Sequence, residues 1–248
     1  MATVHRPVRR APTRKTPPLQ PVSDERRLRE ERLLDAAATL LVRWGYRKTT
    51  IDDVAREAGV GKGTIYLHWK DKNALFRAAI WREQLRFNEE LQRRIAADPQ
   101  GGLLHRVVTH GMLAALSSPL ITAIVGGRSD IVGGYLGAMD PDSLQQLVGT
   151  GEAYFREMQR AGLIRADLPV FVITYLLGAL KIGLFNSADL LRQERVPSIE
   201  QLTEGLSDLI RRWLEPEQPS GTSDAGKRLW ADYLESFKQT DDYPEREQ

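Results

Sequence analysis

Lys62, Gly63, Thr64, Tyr66, Leu67 and His68 fall within one short run of chain that contains no carboxylate. Together they offer a cation, a bare backbone position, a hydroxyl, a phenol, an apolar contact and an imidazole. A surface without negative charge can approach phosphates closely, and these groups in the major groove can also meet base edges, so the chemistry they suit is recognition of duplex DNA. Lys70 and Lys72 follow at once as cations able to clamp phosphates.

Such side chains need a rigid mount, and the flanking residues supply its signals. Ile51, Val54, Ala55 and Ala58 recur at helical spacing and share one inward face. Thr50 precedes them as an N-cap, with Asp52 and Asp53 in the positive first turn. Gly59 stops this helix, because glycine adopts the left-handed C-terminal conformation most easily, and Val60 follows as an apolar plug. A second helix then begins within two or three residues, and Ile65 and Trp69, four apart, form its buried stripe. Asp71 caps a third helix that runs as an amphipathic segment to about Ala96. This is the layout of a helix-turn-helix reading head.

Gly45, Thr49, Thr50, Ile51, Val54, Ala55, Ala58, Gly59, Val60, Gly63, Thr64, Tyr66, Trp69, Lys72, Ala74, Leu75 and Phe76 match, in order and without a gap, the DNA-binding signature of the TetR family of bacterial transcriptional regulators, which this region resembles. The resemblance covers about the first third of the chain. Gly61 stands where a serine often caps the recognition helix, and Trp69 where phenylalanine is common. Both substitutes still serve, glycine as a cap and tryptophan as core.

The resemblance implies an all-α protein: an N-terminal three-helix helix-turn-helix DNA-binding domain and a larger C-terminal helical ligand-binding and dimerisation domain. It implies a homodimer on double-stranded DNA with a palindromic operator, and a repressor released by a small apolar effector, with no cofactor, no metal and no membrane partner. Lys62, Gly63, Thr64 and Leu67 are expected near base edges, and Thr50, Tyr66, His68, Lys70 and Lys72 on phosphates. Met112, Tyr135, Met139, Phe155, Phe171 and Tyr175 are expected to line a ligand cavity, although any one of them alone reads better as ordinary core. Arg128 and Lys181 are the polar groups in apolar surroundings. The glycines between Gly126 and Gly137 read as flexible turns, without the strand and helix that a phosphate-binding loop needs.

The rest of the chain reads as helical. Ser23 and Asp24 open a first helix that ends at Trp44 and Gly45. Further helices are expected near Leu103–Leu116, Pro119–Gly126, Pro141–Ala161, Leu168–Leu191 and Ile199–Leu214, the last opened by a Ser198 and Gln201 capping box. Asp98, Pro99, Gly101 and Gly102 break the chain between two domains that the preceding long helix bridges. The divisions are residues 1–22, a basic arm; 23–86, the reading head; 87–215, the effector and dimerisation region; and 216–248, a tail with one short amphipathic helix. Val170 to Leu184 is apolar on nearly every side, so something must cover it all round. A two-fold partner is expected, a monomeric core being the alternative.

Residues 1–86 hold 19 Lys and Arg against 10 Asp and Glu, whereas 87–248 hold 16 against 23. Positive charge is thus gathered with the motif, as a nucleic-acid partner requires. The arm, with Arg6, Arg9, Arg10, Arg14 and Lys15 among prolines, either tracks DNA or is a solvated tail. Enzyme chemistry finds little footing. Cysteine is absent, and His105 and His110 are five apart, about 140° around a helix, which denies them a shared metal face. No signal-peptide core opens the chain, so the cytoplasm is the expected location. An architectural DNA-binding protein that reads shape without a ligand remains the other class.

Overall fold

A computed structural model describes residues 21–136, 141–190 and 196–238. Among the described residues there are eleven helices and no strand. The reading head comprises α1 (Pro21–Lys48), α2 (Ile51–Glu57), α3 (Lys62–Tyr66) and the start of α4 (Lys72–Ala97). Then come α5 (Leu104–Leu116), α6 (Pro119–Val125), α7 (Ser129–Leu136), α8 (Pro141–Arg160), α9 (Val170–Leu190), α10 (Ile199–Leu214) and α11 (Ser223–Lys238).

Local signals account for most boundaries. Gly45 breaks the helical run of α1 at φ 78°, after which Thr49, fully buried, returns its hydroxyl to the Gly45 carbonyl at 2.8 Å. Asp71 accepts the Ala74 N–H at 2.8 Å and starts α4, while Ser198 and Gln201 form the expected capping box on α10.

Two clusters of buried side chains lie along α4. One joins Leu33, Leu40, Leu41, Val54, Ile65, Leu75 and Phe76 of the reading head to Leu120, Ala123 and Ile131 of α6 and α7. The other gathers Leu91 and Ile95 of α4 with Leu104, Met158, Ile173, Leu177, Leu206 and Ile210. The reading head is therefore not packed alone: α6 and α7 complete its core. Polar contacts reinforce this joint. Arg82 of α4, with its side chain only 11% exposed, meets Glu31 and Asp35 of α1 at 3.1 and 2.7 Å, and Ser118 donates to Glu83 at 2.7 Å.

One expectation needs correcting. Residues 129–136 are helix α7 and not flexible glycine turns, while Gly137 lies outside the described residues. The tail helix α11, whose seat the sequence left open, docks on α4 and α8, with Phe237 stacked on Trp81 at 5.3 Å and Ser223 accepting the Gly102 N–H at 3.1 Å. The stripe of Trp230, Leu234 and Phe237, which the sequence offered without saying to whom, is satisfied by α8 and α4 together, with Trp230 edge-on to Tyr154 at 5.6 Å.

Asp98 pins the end of α4 to α5. It accepts from His110 Nε2 at 2.8 Å, Arg106 Nε at 2.5 Å and the Gln100 N–H at 2.9 Å. Burial pushes its carboxyl pKa up, but the hydrogen bonds from His110, Gln100 and Arg106 outweigh burial and hold it at about 2. A carboxyl whose folded pKa lies below its ordinary 3.8 adds stability that is complete above that value and lost as pH falls toward 2. Asp98→Asn should accordingly lower the melting temperature at neutral pH and flatten the acid-unfolding curve below pH 3.8, followed by helical circular dichroism.

Candidate nucleic-acid interface

The α2–α3 corner holds its shape through short backbone links. Gly59 turns the chain at φ 68°, and the Val60 N–H donates to the Ala55 carbonyl at 2.9 Å. Ile65 then enters the core, fully buried, and Trp69 packs beside it. These anchors force the opposite face of α3 outward. Tyr66 is 50% exposed and Leu67 75%, and open space surrounds the point where a Cβ on Gly63 would stand. Lys62 and Lys70 are exposed, and Thr64 is half-buried. Backbone can thus approach a ligand at Gly63 without a side chain intervening.

Four of the expected contacts have other partners in the free protein. Lys62 Nζ lies 3.0 Å from Asp52 of α2, an acid that the run of carboxylate-free residues does not reveal. The Asp52 hydrogen bond pushes the Lys62 ammonium pKa up. An exposed pair of this kind is weak, so DNA can break it. Asp52→Asn should strengthen binding to every duplex by about two- to fivefold at low salt, through removal of a competing anion, as measured by fluorescence anisotropy.

Thr50 spends its hydroxyl within the α2 cap. Its Oγ1 donates to Asp53 Oδ2 at 2.6 Å and accepts the Asp53 N–H at 3.2 Å, while its backbone N–H donates to the same Oδ2 at 3.0 Å, so either donor reaches a phosphate only after the cap opens. His68 is half-buried, with its ring 5.2 Å from that of Trp69. Burial pushes the imidazole pKa down despite Glu30 nearby, which favours the neutral ring in the free protein. Lys72 is turned inward. Its Nζ sits 5.2 Å from the centroid of the Tyr46 ring and 5.5 Å from that of Phe76, and donates to the Arg47 carbonyl at 3.4 Å. Desolvation lowers its pKa below the usual lysine range. Two residues that shape this edge, Asp52 as a partner and Tyr46 as a seat, escaped the sequence reading of contacts. The only signal for Tyr46 was its place directly after the helix-breaking Gly45.

Of the six residues expected around a ligand, the four whose side chains are described do not line either of the clefts seen among the described residues. Met112 is buried in the second core cluster, and Phe155 packs against that cluster from its edge. Phe171 and Tyr175 are 66% and 75% exposed, because Ile173 and Leu177 take the inward face of α9 and leave their neighbours outside. Tyr135 lies on α7 with its side chain undescribed, and Met139 is outside the described residues. Two open clefts are lined by other residues. One of about 340 Å³ lies between α5 and α10, with His105, His110, Thr203, Ser207 and Arg211 on its walls, and one of about 310 Å³ lies between α4 and α11. Arg128 is not a pocket group either, since its Nη1 donates to the Val42 carbonyl of α1 at 2.7 Å. Lys181 is exposed on α9.

Comparison with known proteins places this geometry. Residues 33–79 match the family described as bacterial regulatory proteins, tetR family. Over 48 residues the chain is 48% identical to an uncharacterized HTH-type transcriptional regulator, YhgD, of Bacillus subtilis, covering 19% of this chain and 25% of that protein. It is 29% identical over 110 residues to the HTH-type transcriptional regulator AcrR of Shigella flexneri, covering 42% and 50%. The chain therefore spans half or less of the length of these curated relatives. Among solved structures, NalD, the secondary repressor of the MexAB-OprM multidrug efflux pump in Pseudomonas aeruginosa, aligns over 78% of this chain and all of its own, with a TM-score of 0.54 and 22% identity, a likeness of fold.

Proposed function

We infer, from the membership of this chain in the TetR family of bacterial regulatory proteins that residues 33–79 establish, that it is a dimeric, cytoplasmic transcriptional regulator that binds a palindromic operator and is a repressor released by a small molecule with an apolar body. The observation that carries the reading is the exposed edge of α3: Tyr66 and Leu67 stand in solvent on a five-residue helix fixed by a fully buried Ile65. A DNA groove accepts both, the leucine against apolar base edges and the phenol against phosphate oxygens. Lys62, Gly63, Thr64 and Leu67 face base edges in this reading, and Tyr66, Lys70 and Lys72 hold phosphates; Thr50 and His68 contribute through backbone and ring.

One α3 touches too few bases to select a genomic site. Two of them related by a two-fold axis reach successive major grooves, about 34–36 Å apart. The apolar side of α9 supports such pairing: Phe171, Tyr175, Leu176 and Ile182 are all exposed large hydrophobics, joined by Leu209 of α10. The segment Val170–Ser187 is also long and apolar enough to cross a membrane, with mean hydropathy 1.6. Burial of Ile173 and Leu177 in the second core cluster favours a helix half covered by its own protomer and half by a partner.

Selection of bound duplexes from a random library at physiological salt tests the reading. A palindromic consensus is the expected result. Binding without a consensus that vanishes as salt rises would sink it and favour an architectural protein. With the consensus as probe, small molecules that release it identify the effector.

A further inference from the structure

Helix α7 raises a question that DNA binding does not answer, because two adjacent glycines, Gly133 and Gly134, lie inside it, where glycine is costly. The second has a clear cause. A Cβ on Gly134 would lie 2.3 Å from Cγ of Tyr46 and 2.6 Å from its Cβ and Cδ1, so the backbone of α7 rests directly on the Tyr46 side chain. Tyr46 sits beyond the break in α1, and the same corner is tied to the start of α7 twice more. Arg128 donates to the Val42 carbonyl at 2.7 Å, and a side chain on Gly45 would meet the Asp130 carboxylate at 2.7 Å.

Tyr46 also faces the start of α4. Its hydroxyl donates to Asn73 Oδ1, its ring stands edge-on to Phe76 at 5.3 Å, and the Lys72 ammonium lies over it at 5.2 Å. One side chain therefore touches α7 on one side and two consecutive residues at the head of α4 on the other. We propose that Tyr46 is the positioning residue through which α7 sets the place of Lys72, so that a displacement of α7 withdraws or presents this cation at the DNA edge. The proposal rests on the reading of Lys72 as a phosphate contact.

Gly134→Ala tests it, since the added methyl must push Tyr46 aside while alanine favours the helix. Binding to a mixed-sequence duplex is titrated over a range of salt for the wild type, G134A, K72A and the double variant, with Gly149→Ala as control, because open space surrounds that position. G134A should remain folded with a lower melting temperature, because the methyl meets the root of the Tyr46 side chain, bind roughly three- to tenfold more weakly, and show a salt slope smaller by about one, the mark of one lost phosphate contact. In the K72A background it should cost nothing further, and G149A should bind as the wild type. A folded G134A that binds normally, or one whose loss adds in full to that of K72A, overturns the proposal. Normal binding by K72A itself overturns instead the phosphate role of Lys72, a separate failure visible in the same data set. If G134A does not fold, Tyr46→Leu, which keeps apolar bulk but loses the ring face and hydroxyl, must reproduce the same non-additivity with K72A, and its failure to do so counts equally against the proposal.

Discussion

Phe76→Ala will destabilise the reading head by about 3–5 kcal/mol, the range for truncating a fully buried aromatic, and will abolish DNA binding near physiological temperature. Phe76 has no exposed surface and belongs to the first core cluster, together with Leu75, Ile65 and the leucines of α1. Its edge contact with Tyr46 adds about 0.5–1.5 kcal/mol beyond burial, and that contact is lost too. Because α6 and α7 share this cluster, the damage reaches the joint between the two regions and is not confined to α3. Urea unfolding followed by circular dichroism measures the cost. A loss below about 1 kcal/mol would mean that the core around Phe76 collapses onto the space left behind, and that the joint is less closely packed than the burial implies.

The second large effect concerns pairing. Tyr175→Asp combined with Leu209→Asp places a carboxylate on each of α9 and α10 at positions that are 75% and 47% exposed in the protomer. Neither change disturbs the protomer core, so its melting should stay close to that of the wild type. In the proposed interface each charge would be desolvated without a partner, at a cost of several kcal/mol, enough to dissociate a dimer at micromolar concentration. Sedimentation should then return the 28.0 kDa chain. Loss of the second recognition helix should weaken operator binding by roughly a thousandfold, since specific affinity draws on both half-sites. A double variant that sediments as a dimer and still binds its operator would place the interface on another surface.

These two expectations draw on different sources. Phe76 was legible in the chain: it closes the run of matched residues, and its apolar character at the head of a capped helix marks it as core. The outward aim of Tyr175 was not. Val170 to Leu184 is apolar on nearly all sides, so periodicity could not say which residues face the protomer, and Phe171 and Tyr175 were assigned to a cavity although Ile173 and Leu177 hold the inward stripe. Similarly, Lys62 and Lys72 belong to the expected DNA edge by type and spacing. Their present partners, Asp52 ten residues upstream and Tyr46 on another helix, arise only when the chain is folded.

The sequence by itself determined the all-helical class, the caps and stops of most helices, the reading head and the gathering of positive charge around it, because capping, periodicity and glycine turns act over a few residues. The tertiary structure alone decided that α6 and α7 complete the core of the reading head, that α11 lies on α4 and α8, that Gly134 seats Tyr46 and that His68 and Lys72 turn partly inward. Each of these depends on which surface of a helix meets a distant segment, and an amphipathic pattern states that a face will be covered without naming what covers it.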